Sequence, residues 1–115
     1  MIDLKNIKNI ILDLGGVILD LDFESCINEF KKLGISDIVD LYHIPDHYPF
    51  FKQIEKGLIS PGQMRDEIRK ATGNNTTDEE IDYAWNIISV GFKKEAIETV
   101  KKLNRQFRLF LLSNT

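Results

Sequence analysis

Cysteine is almost absent from this chain: Cys26 is the only one in 115 residues. No intrachain disulfide is therefore possible. Long apolar runs are lacking too. The first apolar stretch, Ile10 to Leu12 and then Val17 to Leu19, is interrupted by Asp13 and two glycines, which does not fit an N-terminal signal. No stretch approaches the roughly 20 apolar residues that span a bilayer. Neither sign of charge dominates. The formal net charge is −3, so no basic field attracts nucleic acid. Repeats, low-complexity segments and flexible linkers are missing as well. These absences lead to the expectation of a soluble, cytoplasmic protein with no membrane or nucleic-acid partner. By length it is one domain, or one small domain carrying an insertion.

What is present is a 43% apolar content, enough for a core, and 29% charged residues. Residues 7–13 read as a short buried strand bounded by glycine. Residues 107–112 are nearly all apolar and read as a second strand, buried on both faces. Between them lie amphipathic helices. The spacing of Phe23, Cys26, Ile27, Phe30 and Leu33 predicts a helix over 23–33, stopped by Gly34. A short helix over 36–43, ended by Pro45, and another over 47–56 are expected. Ser60-Pro61 marks a clear helix start. Thr76 or Thr77, with Glu79 or Glu80, caps a helix expected to run to Val90. The two sequons overlapping at Asn74-Asn75-Thr76-Thr77 read as that helix entry rather than a glycan site. Residues 94–106 complete the series.

Chemistry concentrates at the strand ends. Asp13 closes the first strand, and Gly15-Gly16 follow it, permitting a tight turn or a close backbone approach to a ligand. Ser113-Asn114-Thr115 closes the last strand. In an open parallel sheet, ligands bind just outside the carboxyl ends of the strands. If the two strands are parallel neighbours, Asp13 and Ser113 emerge at one edge. A carboxylate nucleophile then faces a hydroxyl able to hold an anion. An ordinary parallel crossover uses one helix. The long helical block here reads as an insert after the first loop, placed where a lid would close. Two strands are too few for a stable sheet, so the chain reads as part of a larger fold or as one that self-associates through exposed sheet edges. His43 and His47 flank Pro45-Asp46 without a third ligand at a recognised metal spacing.

Three pieces resemble the haloacid dehalogenase (HAD) superfamily of hydrolases, in particular phosphatase-like members with a helical cap. Ile11-Leu12-Asp13-Leu14-Gly15-Gly16-Val17 resembles the first motif and Leu111-Leu112-Ser113-Asn114 the second, while Glu55-Lys56-Gly57-Leu58-Ile59-Ser60 resembles a turn between cap helices. The resemblance implies a three-layer, Rossmann-like α/β core of parallel strands, here partial (1–17 and 93–115), with an α-helical cap inserted at 18–92. It implies hydrolysis of a small phosphorylated metabolite. Asp13 would be the nucleophile and a Mg²⁺ ligand, and the Gly15 carbonyl a second ligand. Ser113, Asn114 and Gly16 would bind the phosphoryl group. The second aspartate common in the family's first motif is replaced by Gly15. Its third motif, a lysine, and its acidic fourth motif fall beyond residue 115, so the 115-residue chain alone is expected to be catalytically poor. Two rivals stand beside this reading: a truncated or degenerate non-catalytic relative acting as an interaction module, and a metal-independent dehalogenase using the same Asp13.

Overall fold

The order of elements follows from where apolar residues recur and where the chain is capped. In the computed structural model, which describes residues 3–73 and 75–114, the order is β1 (Asn9–Asp13), β2 (Leu19–Leu21), α1 (Phe23–Leu33), α2 (Pro49–Glu55), α3 (Pro61–Thr72), α4 (Asp78–Asn86), β3 (Ser89–Phe92), α5 (Lys94–Leu103) and β4 (Arg108–Leu112). Asn74 and Thr115, part of two motifs read from the sequence, lie outside the described residues. The chain divides into two units. One runs up to Leu21 and resumes from Ser89 to Asn114; the other is Asp22–Ile88.

The helical unit, Asp22–Ile88, holds the tight core. Phe30, Ile35, Ile38 and Ile68 are completely buried, with Phe51, Ile81, Cys26 and Ala84 nearly so. The Phe30 ring meets Phe51 edge-on at 5.2 Å between centroids, and Phe51 stacks on Trp85 at 5.9 Å. Such aromatic pairs add to the area they bury. Each of three helices starts at a side-chain cap. Asp22 accepts from the Ser25 N–H, and Ser60 with Gln63 and Thr77 with Glu80 form complete capping boxes. Of the alternatives in the sequence, the fold uses Thr77 and Glu80.

The expected helix over 36–43 does not form; residues 35–40 have no regular structure. Ile35, Ile38 and Val39 are β-branched, and the Asp40 carboxylate accepts the N–H groups of Tyr42 and His43, which competes with a helical ladder. The segment is fixed instead by burying Ile35 and Ile38. The helix expected to reach Val90 ends at Asn86. Beyond it, Ser89–Phe92 pairs antiparallel with Leu19–Leu21, a ribbon that short-range periodicity did not reveal. Gly91, at φ 144°, sits in that ribbon at a conformation that side chains rarely adopt.

In the α/β unit, β1 and β4 form a two-stranded parallel sheet in the register Asn9↔Arg108 through Asp13↔Leu112. The strands are not buried on both faces as their composition predicts. Asn9, Ile11 and Asp13 share a face with Arg108, Phe110 and Leu112, and all six are exposed. On the opposite face Ile10, Leu12 and Leu109 are half-buried, while Leu111 is 57% exposed.

Candidate active site

The register of the parallel sheet decides what meets at its carboxyl end. Asp13 lies opposite Leu112, so Ser113 follows one residue beyond the aspartate's partner. The two strand-end motifs, 100 residues apart in sequence, therefore leave the sheet side by side. Asp13 is exposed, Ser113 half-buried and Asn114 exposed. The Leu14 N–H donates to Asp13 Oδ1 at 2.7 Å, which orients the carboxylate.

The loop after Asp13 is built around one carbonyl. Leu14 O accepts from the N–H groups of Val17, Ile18 and Leu19 at 2.9–3.3 Å. Gly16, at φ 75°, makes this turn possible, and its N–H donates to Leu19 O at 2.8 Å. A phosphate drawing on the Gly16 N–H would compete with that bond. A side chain at Gly15 would also crowd the loop: its Cβ would stand 3.1 Å from Leu21 Cδ1.

One group at the loop escaped sequence reasoning. Lys93 Nζ donates to Gly16 O at 2.8 Å, and the Lys93 N–H donates to Ile18 O at 2.8 Å. The residue grips the loop with both its main chain and its ammonium. No sequence signal links them, because 77 residues separate the partners and only the β2–β3 ribbon brings them together.

Polar and nucleophilic groups of the helical unit are engaged elsewhere. Asp22 caps α1, and its bonds from the Ser25 hydroxyl and N–H hold its carboxyl below the usual range. His43 lies 3.0 Å from the Asp40 carboxylate and His47 2.8 Å from Asp37, which also accepts the Tyr48 hydroxyl. Burial raises the Cys26 thiol to about 11, with the nearby Asp22 charge adding to it, so this cysteine is an inert core residue.

Among the described residues, no group of three His, Cys, Asp or Glu side chains is placed to hold a metal ion. Asp13 nevertheless offers the hard oxygen that Mg²⁺ prefers, and Mg²⁺ sites commonly use one or two carboxylates, with water and substrate phosphate completing the shell. The donors fit in kind and supply part of a set. No helix among the described residues is long and apolar enough to cross a membrane.

Comparison with known proteins gives a consistent picture. No family model matches the chain. A curated relative, the D-ribitol-5-phosphate phosphatase of Bacteroides thetaiotaomicron, is 34% identical over 116 residues, covering 95% of this chain and 53% of the relative. An HAD-family enzyme from the same organism, solved in complex with magnesium and inorganic phosphate, superposes with a TM-score of 0.79 at 41% identity, covering 96% of this chain and 54% of that one. A predicted HAD-like family hydrolase from Porphyromonas gingivalis superposes at 0.76 and 32% identity, covering 95% of this chain and 52% of that one. The chain thus spans about half the length of the proteins it matches.

Proposed function

We propose, for a chain whose relatives and structural neighbours are HAD-family enzymes and whose α/β fold matches theirs over about half their length, that it carries the nucleophile half of a phosphatase site for small phosphorylated metabolites. The observation that carries this reading is the β1–β4 register, which sets Asp13 beside Ser113 at the carboxyl end of a parallel sheet. The relative's named substrate, a polyol phosphate, supports the substrate class. A cytoplasmic setting goes with it, because charged metabolites of this kind are retained inside cells.

In this reading an Asp13 oxygen attacks the phosphorus of a phosphomonoester. The bond from phosphorus to the leaving oxygen breaks, and the leaving oxygen takes a proton from water because Gly15 offers none. Water then hydrolyses the acyl phosphate, releasing inorganic phosphate and restoring the carboxylate. The Ser113 hydroxyl and Asn114 hold phosphoryl oxygens, and Gly16 shapes the turn that lets the backbone approach them. Asp13 and the Gly15 carbonyl would hold Mg²⁺, which when bound offsets the phosphate's negative charge. The helical insert, expected from the sequence at 18–92, acts as the cap that selects the substrate.

The test is phosphate release from an aryl phosphate by the chain fused to the part of the Bacteroides relative that it does not span. Release should need Mg²⁺, stop with EDTA and fall by about a thousandfold or more in Asp13→Asn, as expected for loss of a nucleophile. Mg²⁺-dependent release that survives Asp13→Asn would overturn the proposal. EDTA-resistant turnover of a haloacid would select the dehalogenase reading. Gly15 favours a second reading, a non-catalytic relative serving as an interaction module, for which the fusion releases no phosphate at all.

A further inference from the structure

We infer that Lys93 is a positioning residue of the candidate site: its ammonium locks the Gly15-Gly16 turn, so that the Gly15 carbonyl is set in place before an ion or a phosphate arrives. This inference rests on the phosphatase reading given above and adds to it a residue outside the strand-end motifs.

Two consecutive glycines permit the turn but have the most conformational freedom to lose. The hydrogen bonds of the loop show how that freedom is removed. The Gly15–Gly16 peptide is held through its N–H, which donates to Leu19 O at 2.8 Å. In a trans peptide the carbonyl points opposite to the N–H, so Gly15 O faces away from Leu19. Among the described residues no backbone N–H donates to that oxygen. The next peptide, Gly16–Val17, is held less firmly by the loop itself. The Val17 N–H reaches Leu14 O at 3.3 Å, the longest of the three bonds that converge on that carbonyl. Lys93 Nζ closes its other end, donating to Gly16 O at 2.8 Å. A hydrogen bond from a charged donor is roughly twice as strong as a neutral one. The two peptides share the Gly16 Cα, so releasing the second loosens the first.

Lys93 differs from a lysine lying on the surface. It is half-buried, whereas Lys94 beside it is exposed. Among the described residues no carboxylate pairs with its ammonium. Its backbone is anchored separately, because its N–H donates to Ile18 O directly after β3. That bond survives any substitution except proline, so the side chain can be removed while the ribbon stays paired.

Charge separates positioning from simple electrostatics. A cation near a bound Mg²⁺ repels it, so a lysine acting only through its charge would, when removed, leave Mg²⁺ bound more tightly. A positioning lysine gives the opposite sign. Mg²⁺ alone is titrated by calorimetry into the fusion described above. Lys93→Met should weaken binding about tenfold or more, as loss of a group that orients a metal ligand does. Lys93→Arg, which keeps a charged donor, should restore most of it, and Lys94→Met should change nothing. In the metal-free 115-residue chain, Lys93→Met should speed amide exchange at Gly16 and Val17 and leave Ile81, in the helical core, unchanged. Tighter or equal Mg²⁺ binding in Lys93→Met overturns the inference, as does unchanged exchange at the loop. A fusion that binds Mg²⁺ in this pattern but releases no phosphate leaves the role of Lys93 standing and counts against the phosphatase reading. If the fusion binds no Mg²⁺, the metal part of that reading falls and loop exchange alone decides: faster exchange in Lys93→Met supports the lock, and equal exchange overturns it.

Discussion

The helical unit and the α/β unit are made from similar residues and reach opposite states. In Asp22–Ile88, Phe30, Phe50, Phe51, Ile35, Ile38, Ile68 and Ile81 are almost wholly buried, and three of the helices, α1, α3 and α4, are closed by side-chain caps. In the α/β unit, an equally apolar strand such as Arg108–Leu112 leaves Phe110, Leu111 and Leu112 about half or more exposed. The difference teaches that local sequence determines which strand forms, while burial depends on neighbours that a strand cannot supply for itself. An amphipathic helix finishes its core with a few others of its kind. A central parallel strand needs flanking strands and covering helices.

The comparison is broken most directly by truncating one apolar residue in each unit. Phe51→Ala should lower stability by about 3–5 kcal/mol, because a fully enclosed ring leaves a cavity. The loss is measured by urea unfolding followed through Trp85 fluorescence. Removal of a helix cap comes next. Ser60→Ala and Thr77→Ala should each cost about 1 kcal/mol, and changing Gln63 in the first box should cost less, since one of its two bonds survives. If Thr77→Ala costs nothing, the Thr77–Glu80 box does not stabilise α4.

Titration sharpens the contrast because the lowered carboxyls lie in the helical unit. Asp22, Asp37, Asp40 and Asp82 are held below the ordinary 3.8, chiefly by Ser25, Tyr48, His43 and Arg65 respectively. The unfolded chain then binds more protons than the folded one as pH falls through 4, so stability is present above that point and lost below it. At the alkaline end the sign reverses. The unfolded Cys26 thiol releases its proton near its ordinary 9.0 while the buried one holds it to about 11, so stability falls as pH rises between them. Cys26→Ala should flatten the alkaline fall, seen in melting temperature against pH. The smallest effect belongs to the sheet. Ile11→Ala, at a residue exposed in this chain, should change stability by less than about 0.5 kcal/mol. A large loss there would mean that the face is already covered.

Much of the site was legible as pattern. An aspartate before two glycines and Ser113-Asn114 after an apolar run each mark a strand end, and their order pointed to a parallel pair. The ribbon was not legible: Leu19–Leu21 and Ser89–Phe92 are too short for periodicity, and each is stabilised by its partner rather than by its own composition. For the same reason the end of α4 is not legible, because Ile87 and Ile88, in the turn that leaves the helix, and Val90, in β3, continue its apolar pattern. The grip of Lys93 on the Asp13 loop was hidden as well, since nothing local distinguishes it from its neighbour Lys94.

By itself the sequence determined the periodic helices, the capping residues Ser60 and Thr77, and the chemistry available at Asp13 and Ser113. These depend on neighbours within a few residues, whose interactions are strong enough to act locally. The tertiary structure alone decided that Asp13 and Leu112 share a register and that Lys93 holds Gly16. Each of these joins residues far apart along the chain, and the entropy of closing such loops is overcome only when whole elements pack together.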